Sequence, residues 1–508
     1  MDFINKLKNL KLSMPLVLGS VILFSTVLFS TGYDFADEHF QILEIANYKI
    51  GNTPASTLAW EFHAQMRPSL QPTIAYTVIK TCNFFSIYSP FIIATVLRLI
   101  SAILILLTIS LLVKAFKEYY STQLSKNYLY TMFLFTWFLP FNFVRFSSEN
   151  WSGMAFMLAL ALYLLNREKK NNFNLLFVGF LTGLSFVFRY QSVFMIFGLG
   201  LWMIIIGKES FKKIILFGIG NIAAIVIGIL LDRWLYGNWV LTFWNYLDFN
   251  IIQDKVSEFG ILPWWFYFEN IFLKATPPIG ICIIISFIYI WVKYPKNILT
   301  WISVPFILIH ILIGHKELRF LYPLLLLTPI VFAIFITNTQ TNNKLKLILQ
   351  NNILKKIAYF IIGINIAILL IMCFKPADES ISFYKRIYIK YKNQNTELII
   401  IGNENPYIRG GKNLPISFYK PKMLLITNIQ SDALLTDSLL FKKNRNYLFA
   451  IKKFDARNSY IYNNLKFTKI YQTYPEWVEQ FNVNNWMSRT KVWTIYEIKK
   501  MNDEMHSH

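Results

Sequence analysis

Three carboxylates, Asp34, Asp37 and Glu38, fall within five positions of the stretch GYDFADEHFQ (Gly32 to Gln41), directly after the first long apolar run. Further polar clusters follow at intervals. WEFHAQMRPSLQP (Trp60 to Pro72) supplies Trp60, Glu61 and Arg67; SSEN covers Ser147 to Asn150; FRYQ contains Arg189; DRWLYGNW contains Asp232 and Arg233; HKELRF contains His315, Lys316 and Arg319. A carboxylate can take a proton from a hydroxyl, Arg can grip phosphate, and aromatic planes can stack on sugars. Together these residue types suit a sugar and a phosphate-bearing lipid.

Each cluster also has a plainer explanation. Asp34 could cap a helix with Asp37 three positions on, acids in a first turn favour the helix dipole, and Gly51 could end the same helix. Lys316 and Arg319 could snorkel to headgroups. Trp60, Trp264 and Trp265 could belong to an interfacial aromatic belt. His39 and His63 lie near the acids, but a lone histidine is usually a packed or hydrogen-bonded side chain. The GLGLW and GIGNI pieces sit inside apolar runs, so their glycines read as packing residues and not as phosphate loops.

The elements that must carry these clusters are membrane spans. In 508 residues, 55% are hydrophobic, 17% aromatic and only 15% charged, and the mean hydropathy is +0.42. That charge content is too low for a soluble globule of this size. The net charge of +22 sits in short clusters between apolar runs, where anionic headgroups explain it and nucleic acid is not needed. Three scattered cysteines, Cys82, Cys282 and Cys373, offer neither a disulfide framework nor a CxxC site. The amino-terminal run continues without a clear cleavage site and reads as a retained helix.

With about 20 apolar residues needed per crossing, eleven candidate spans emerge, near 14–31, 91–113, 128–144, 151–166, 173–188, 192–207, 214–231, 278–293, 298–313, 320–337 and 357–374. Threaded with the amino terminus inside, alternate loops collect Lys6, Lys8, Lys11, Lys114, Lys117, Lys126, Arg167, Lys169, Lys170, Lys208, Lys212, Lys213, Lys293, Lys296, Lys344, Lys346, Lys355 and Lys356. The opposite short loops hold only Arg145, Arg189, Lys316 and Arg319, so the Lys-rich side is expected to be cytoplasmic. Every polar cluster then falls on the outer face, where charges near membrane depth mark function. Two long outer segments, 32–90 and 232–277, are rich in Trp, Tyr, Phe and Pro and suit helices lying in the interface. Residues 375–508 turn to short β-branched and aromatic runs, TELIIIGNEN, KMLLITN, NYLFAIKKF and VWTIYEIKK, which predict a small soluble α/β domain on the outer side. The expected organisation is a polytopic α-helical domain over 1–374 and that soluble domain over 375–508.

ADEHFQILEIANYKIG, LAWEFHAQMRPSL, DRWLYGNWVLTFWNYLDFN and HKELRFLYP resemble, in order, signature stretches of glycosyltransferase family 22. That family includes the GPI mannosyltransferases and the lumenal mannosyltransferases of N-glycan assembly. The resemblance implies a GT-C fold whose first outer loop carries the catalytic acid. It implies inverting transfer, typically of mannose, from a polyprenyl-phosphate-linked donor to a lipid-linked glycan acceptor. Asp37 and Glu38 match the family's acidic pair, with Asp37 as general base, Glu38 as fallback, and Gln41 orienting the base from one helical turn on. Arg67, Arg189, Arg233, His315, Lys316 and Arg319 are candidates for the departing phosphate, His315 and Arg319 first; Trp60, Glu61 and Asp232 complete the expected substrate-binding set. No cofactor is expected, and a divalent metal is possible without being indicated, since no HxxxH or DxD pair occurs.

A flippase of lipid-linked glycans is the alternative. It predicts polar residues on both membrane faces and broken spans in paired halves, whereas here the clusters share one face and no halves repeat. Abundant Lys, Asn and Ile fit an AT-rich bacterial genome, which would put the outer side in the periplasm of an inner-membrane protein. In a eukaryotic chain it would be the endoplasmic reticulum lumen.

Overall fold

A computed structural model describes residues 13–117, 123–167, 173–340, 351–402, 404–409, 413–430, 445–490 and 492–500. Lys6, Lys8, Lys11, Lys169, Lys170, Lys344 and Lys346 of the basic loops lie outside the described residues. The chain forms two compact units. One comprises Met1–Ser30, Glu61–Thr81 and Thr95–Lys375; the other comprises Thr31–Trp60, Cys82–Ala94 and Pro376–His508. The first outer segment is thus divided, and its acidic part groups with the carboxy-terminal residues and not with the helical domain expected over 1–374.

Helices occupy each of the eleven apolar stretches, with a break at 136–138 inside the stretch 128–144. Among the described residues, four helices are long and apolar enough to cross a membrane: Pro90–Ala115, Phe211–Tyr236, Leu318–Thr337 and Asn352–Phe374. A fifth crossing is available if Pro277–Lys293 and Ile298–Leu312, bent by 118°, count as one broken span, and Met14–Phe29, Asn174–Phe188 and Tyr190–Ile205 are shorter apolar helices. The bend between Lys293 and Ile298 is held by Asn297, whose side chain caps the second helix at Leu299 N–H, 2.9 Å away.

Lipid tails are as apolar as leucine, so helices here associate through close packing and buried polar bonds, not through a hydrophobic drive between them. The glycines do this work. A Cβ at Gly220 would strike the Leu176 carbonyl, and one at Gly198 the Trp301 carbonyl, so GIGNI and GLGLW each contribute one close helix crossing. Two buried arginines finish the first helix. Arg98 Nε donates to Val27 O at 3.0 Å, and Arg145 donates to the backbone and side-chain oxygens of Ser30. The last carbonyls of Met14–Phe29 would otherwise be orphaned, and cations suit that end of the helix dipole.

The second unit contains a six-stranded sheet. Its strands are β1 (Thr396–Ile401), β4 (Leu424–Ile429), β5 (Asn446–Ile451), β6 (Ser459–Tyr462), β7 (Leu465–Gln472) and β8 (Thr494–Lys500), and a separate two-stranded pair is formed by β2 (Ile408–Arg409) and β3 (Leu414–Pro415). The order is β4-β1-β5-β8-β7-β6, with β1 parallel to β4 and β5 and the remaining pairs antiparallel. Alternating side chains of β1, β5, β7 and β8 bury Ile399, Tyr447, Phe449, Phe467, Tyr496 and Ile498 in one apolar cluster. The four runs read as strands are β1, β4, β5 and β8. The hairpin β6–β7 adds two more, and its two-residue loop, Asn463-Asn464, has φ of 49° and 58°, the left-handed pair that such a turn requires.

Candidate active site

The acidic turn belongs to the second unit. Its backbone runs as a three-residue helix (Ala36–Glu38), a π-helical turn (His39–Leu43) and a further α-helix (Glu44–Ile50). Gly51 ends that helix at φ 92°, with its N–H returned to Tyr48 O at 2.8 Å. The N-cap position of the three-residue helix is Phe35, one residue on from Asp34, and Asp34 donates its own N–H to Glu38 Oε2 at 3.0 Å. The acids are therefore sorted by position. Glu38 is buried and braces the turn through that bond, while Asp37 and Gln41 are half-buried and Asp34 is exposed. π-Turns of this kind are frequent at functional sites.

His39 and Glu44 were passed over as site residues. His39 is fully buried, with Nε2 2.9 Å from Glu44 Oε1. Trp60, also in this unit, is partly exposed, and His63 lies on the short helix Trp60–His63.

The HKELRF cluster belongs to the first unit. Arg319 is gripped side-on by Glu317, with Nε–Oε2 2.7 Å and Nη2–Oε1 3.0 Å. A second carboxylate, Glu149 of the SSEN stretch, lies 2.9 Å from Arg189 Nη1 and 3.7 Å from Arg319 Nη1. Both guanidinium groups lie over the Phe320 ring, at 5.1 and 5.7 Å. His315 Nε2 is 3.4 Å from Glu317. Tyr267, buried nearby, feels both charges: burial pushes its phenol pKa up, with Arg189 opposing and Glu317 adding to the rise. The structure thus brings His315, Arg319 and Arg189 together, and adds Glu149, Glu317 and Tyr267, which were not in the expected set. The spacing of SSEN alone does not mark Glu149, because the two arginines that face it come from distant stretches.

Lys316 is placed differently from expectation. It neither snorkels nor points into the arginine cluster. Its ammonium donates to Leu262 O at 2.8 Å, Ile313 O at 2.6 Å and Gly314 O at 3.3 Å. An ammonium has three donors, so all are spent on carbonyls, and burial lowers its pKa. Lys316→Met is expected to destabilise the purified protein by about 1–3 kcal/mol, through carbonyls left unpaired, with the donor KM unchanged. Thermal unfolding and initial rates on one preparation check both.

Asp232 is also a brace. Its buried carboxylate accepts from Ser69 N–H at 2.9 Å, Ser69 Oγ at 2.6 Å and Thr242 Oγ1 at 2.5 Å, and Thr242 also meets the Tyr190 hydroxyl at 2.6 Å. Arg67 pairs with Glu61 at 3.7 Å and faces the Tyr246 ring at 5.8 Å. Arg233 is exposed and stacks on Trp239 at 4.1 Å. Trp239, Trp244, Trp264 and Trp265 are exposed, the placement expected of an interfacial belt. Among the described residues, no three His, Cys, Asp or Glu side chains gather to hold a metal ion.

The fold has a counterpart among solved structures. The structure of ArnT from Cupriavidus metallidurans bound to undecaprenyl phosphate is similar over 95% of this chain and 97% of its own, with a TM-score of 0.54 at 8% identity. The chain belongs to the Alg9-like mannosyltransferase family, whose model matches residues 16–405. Similar curated proteins include GPI alpha-1,2-mannosyltransferase 3 of Bos taurus, 24% identical over 61% of this chain and 56% of that protein, and GPI mannosyltransferase 3 of Candida albicans, 26% identical over 57% of each. The chain therefore spans a little over half the length of these relatives.

Proposed function

We propose that the protein is an inverting glycosyltransferase that moves a sugar, with mannose the first candidate, from a polyprenyl-phosphate-linked donor to a hydroxyl of a lipid-linked glycan. The observation that carries this reading is the family match, which runs through both the acidic turn and HKELRF. In this reading Asp37 takes the proton of the acceptor hydroxyl, and the oxygen attacks the anomeric carbon from the face opposite the phosphate. The bond from that carbon to the phosphate oxygen breaks, its electrons leave on the phosphate, and configuration inverts in a single displacement. A phosphate is a good leaving group, so it needs charge stabilisation more than a strong acid. Arg319 and Arg189 supply that stabilisation, with His315 beside them; Glu38 is the fallback base, Gln41 orients the base, and Trp60 contacts the sugars. The reading assigns no metal, because guanidinium groups answer the phosphate charge.

The names of the relatives support mannose, and the undecaprenyl phosphate bound to ArnT supports a polyprenyl carrier. The membrane arrangement proposed with it has eleven spans, with the Lys-rich loops in the cytoplasm. The acidic turn, the 232–277 segment and residues 375–508 then lie outside, in the periplasm of a bacterial inner membrane or in the endoplasmic reticulum lumen of a eukaryote.

The test uses the full chain in nanodiscs, radiolabelled polyprenyl-phosphate-mannose, and a lipid extract from cells lacking the protein. Label is expected in a lipid-linked glycan, with the anomeric configuration opposite to the donor. Label that crosses a vesicle bilayer without entering any new glycosidic bond overturns the reading in favour of a transporter.

A further inference from the structure

The carboxy-terminal residues have no role in the chemistry above, yet they surround the acidic turn. Glu44 is buried at 2% exposure. Its Oε1 accepts from Phe418 N–H at 2.9 Å and lies 2.9 Å from His39 Nε2, and its Oε2 accepts from Thr53 Oγ1 at 2.9 Å. Thr53 Oγ1 in turn accepts from Asn47 Nδ2 at 2.8 Å. Burying a carboxylate is costly unless hydrogen bonds replace its water, and here three donors do so. Two come from the segment that carries the acids. The third is a backbone amide between β3 and β4.

His39 is the other half of the clamp. Its ring is stacked between Tyr33 at 4.8 Å and Tyr419 at 5.5 Å, from opposite ends of the unit's sequence. Tyr419 also packs on Phe91 at 5.1 Å, and Arg409 lies 5.9 Å from the Phe40 ring. Nδ1 of His39 is buried without a hydrogen-bond partner. An unpaired lone pair costs less than an unpaired N–H, so the geometry favours the proton on Nε2, donated to Glu44. Glu44 N–H closes the π-turn onto the His39 carbonyl. The side-chain bond and the backbone bond therefore fix the same five-residue loop, two residues after Asp37.

We infer that Glu44 and His39 are positioning residues through which the carboxy-terminal sheet domain holds the acidic turn in its π-register, setting the direction of the Asp37 carboxylate. The effect on rate rests on Asp37 acting as the base; the clamp itself does not. The domain is then a scaffold that the catalytic turn requires, distinct in kind from a module for acceptor recognition.

The test measures hydrogen exchange of residues 36–50 in the full-length protein, together with kcat and KM in the transfer assay. Glu44→Ala is expected to speed exchange of that segment at least about tenfold, by local opening. It should lower kcat by about 100-fold, the scale of an ångström-level misplacement, with KM changed less than about threefold. Glu44→Gln should stay close to wild type in both. Its amide oxygen can serve Phe418 and His39, while its N–H₂ faces Thr53 Oγ1. Thr53→Val, which removes one donor and keeps the fold's apolar volume, should fall between the two and serves if Glu44→Ala does not fold.

Unchanged exchange or unchanged kcat in both Glu44→Ala and Thr53→Val overturns the inference. So does a Glu44→Gln variant as impaired as Glu44→Ala, since the charge and not the geometry would then matter. An active Asp37→Asn variant would remove Asp37 as base, while the exchange data would still report on the clamp.

Discussion

Asp37→Asn is expected to lower kcat/KM by about 1,000-fold or more, the upper range for losing a general base, while the protein inserts and unfolds at the wild-type temperature. Asparagine has the shape of aspartate but cannot accept the proton of an attacking hydroxyl. At a half-buried position the exchange should cost little stability. Glu38→Gln provides the contrast. Glu38 accepts the Asp34 N–H at 3.0 Å, a bond that a glutamine oxygen can replace, so its rate should remain within about fivefold of wild type if positioning is its whole contribution. Glu38→Ala, which removes the acceptor, should instead loosen the loop. Initial rates at saturating and limiting donor, with thermal unfolding on the same samples, separate these outcomes. Wild-type turnover by Asp37→Asn, paired with a dead Glu38→Gln, would move the base by one residue.

Much of this site was legible because its chemistry is expensive. Charged residues at membrane depth are rare without a reason, and on that ground, together with the family resemblance, Asp37, Arg189 and the HKELRF stretch stand out in the sequence. Neither ground sorts catalytic charges from bracing ones. Asp232 and Lys316 look equally functional in sequence, yet one is filled by Ser69 and Thr242 and the other by three carbonyls. What separates them is the set of partners, and those come from positions as distant as Ser69 and Leu262. His39 shows the same limit from the other side: a lone histidine was correctly read as a packed and hydrogen-bonded side chain, but its partner Glu44 and the Phe418 amide were invisible.

The fold was legible to a similar depth. Helices occupy all eleven apolar stretches, one of them broken at 136–138, because hydrophobicity over a long run is a strong local signal. The 118° bend after Lys293, with the Asn297 cap beyond it, and the 3₁₀ geometry of Leu318–Leu327, with Pro323 inside it, leave no mark in hydropathy. In the soluble part, β6 and β7 are short and bear exposed or half-buried side chains at many positions, so the alternation is faint. The Asn463-Asn464 pair was the usable sign, as a turn residue that tolerates positive φ. The grouping of 31–60 with residues 376–508 was not readable at all, because it is made by the tertiary contacts of Glu44, His39 and Tyr33.

The second large effect concerns Glu149 and Arg189, and it separates what a buried ion pair does for the fold from what it does for the reaction. Glu149→Leu leaves Arg189, 6% exposed, without the carboxylate that lies 2.9 Å from it. Stranding one member of a buried pair typically costs about 3–5 kcal/mol. Arg189→Met alone is expected to cost a similar amount, because Glu149 loses its close cation and keeps Arg319 at 3.7 Å and the Ser148 hydroxyl at 3.2 Å. Replacing both should restore most of the stability, since an apolar pair of similar volume avoids the desolvation that both ions incur.

Activity should not follow. If Arg189 stabilises the departing phosphate, the double variant folds well and transfers about 100-fold more slowly, the scale of losing one preorganised charge donor. Its kcat should fall and its donor KM should change less. Chemical or thermal unfolding of all four forms, with rates on each, completes the cycle. A double variant that recovers both stability and turnover would make the pair purely structural and leave Arg319 as the phosphate's guanidinium partner.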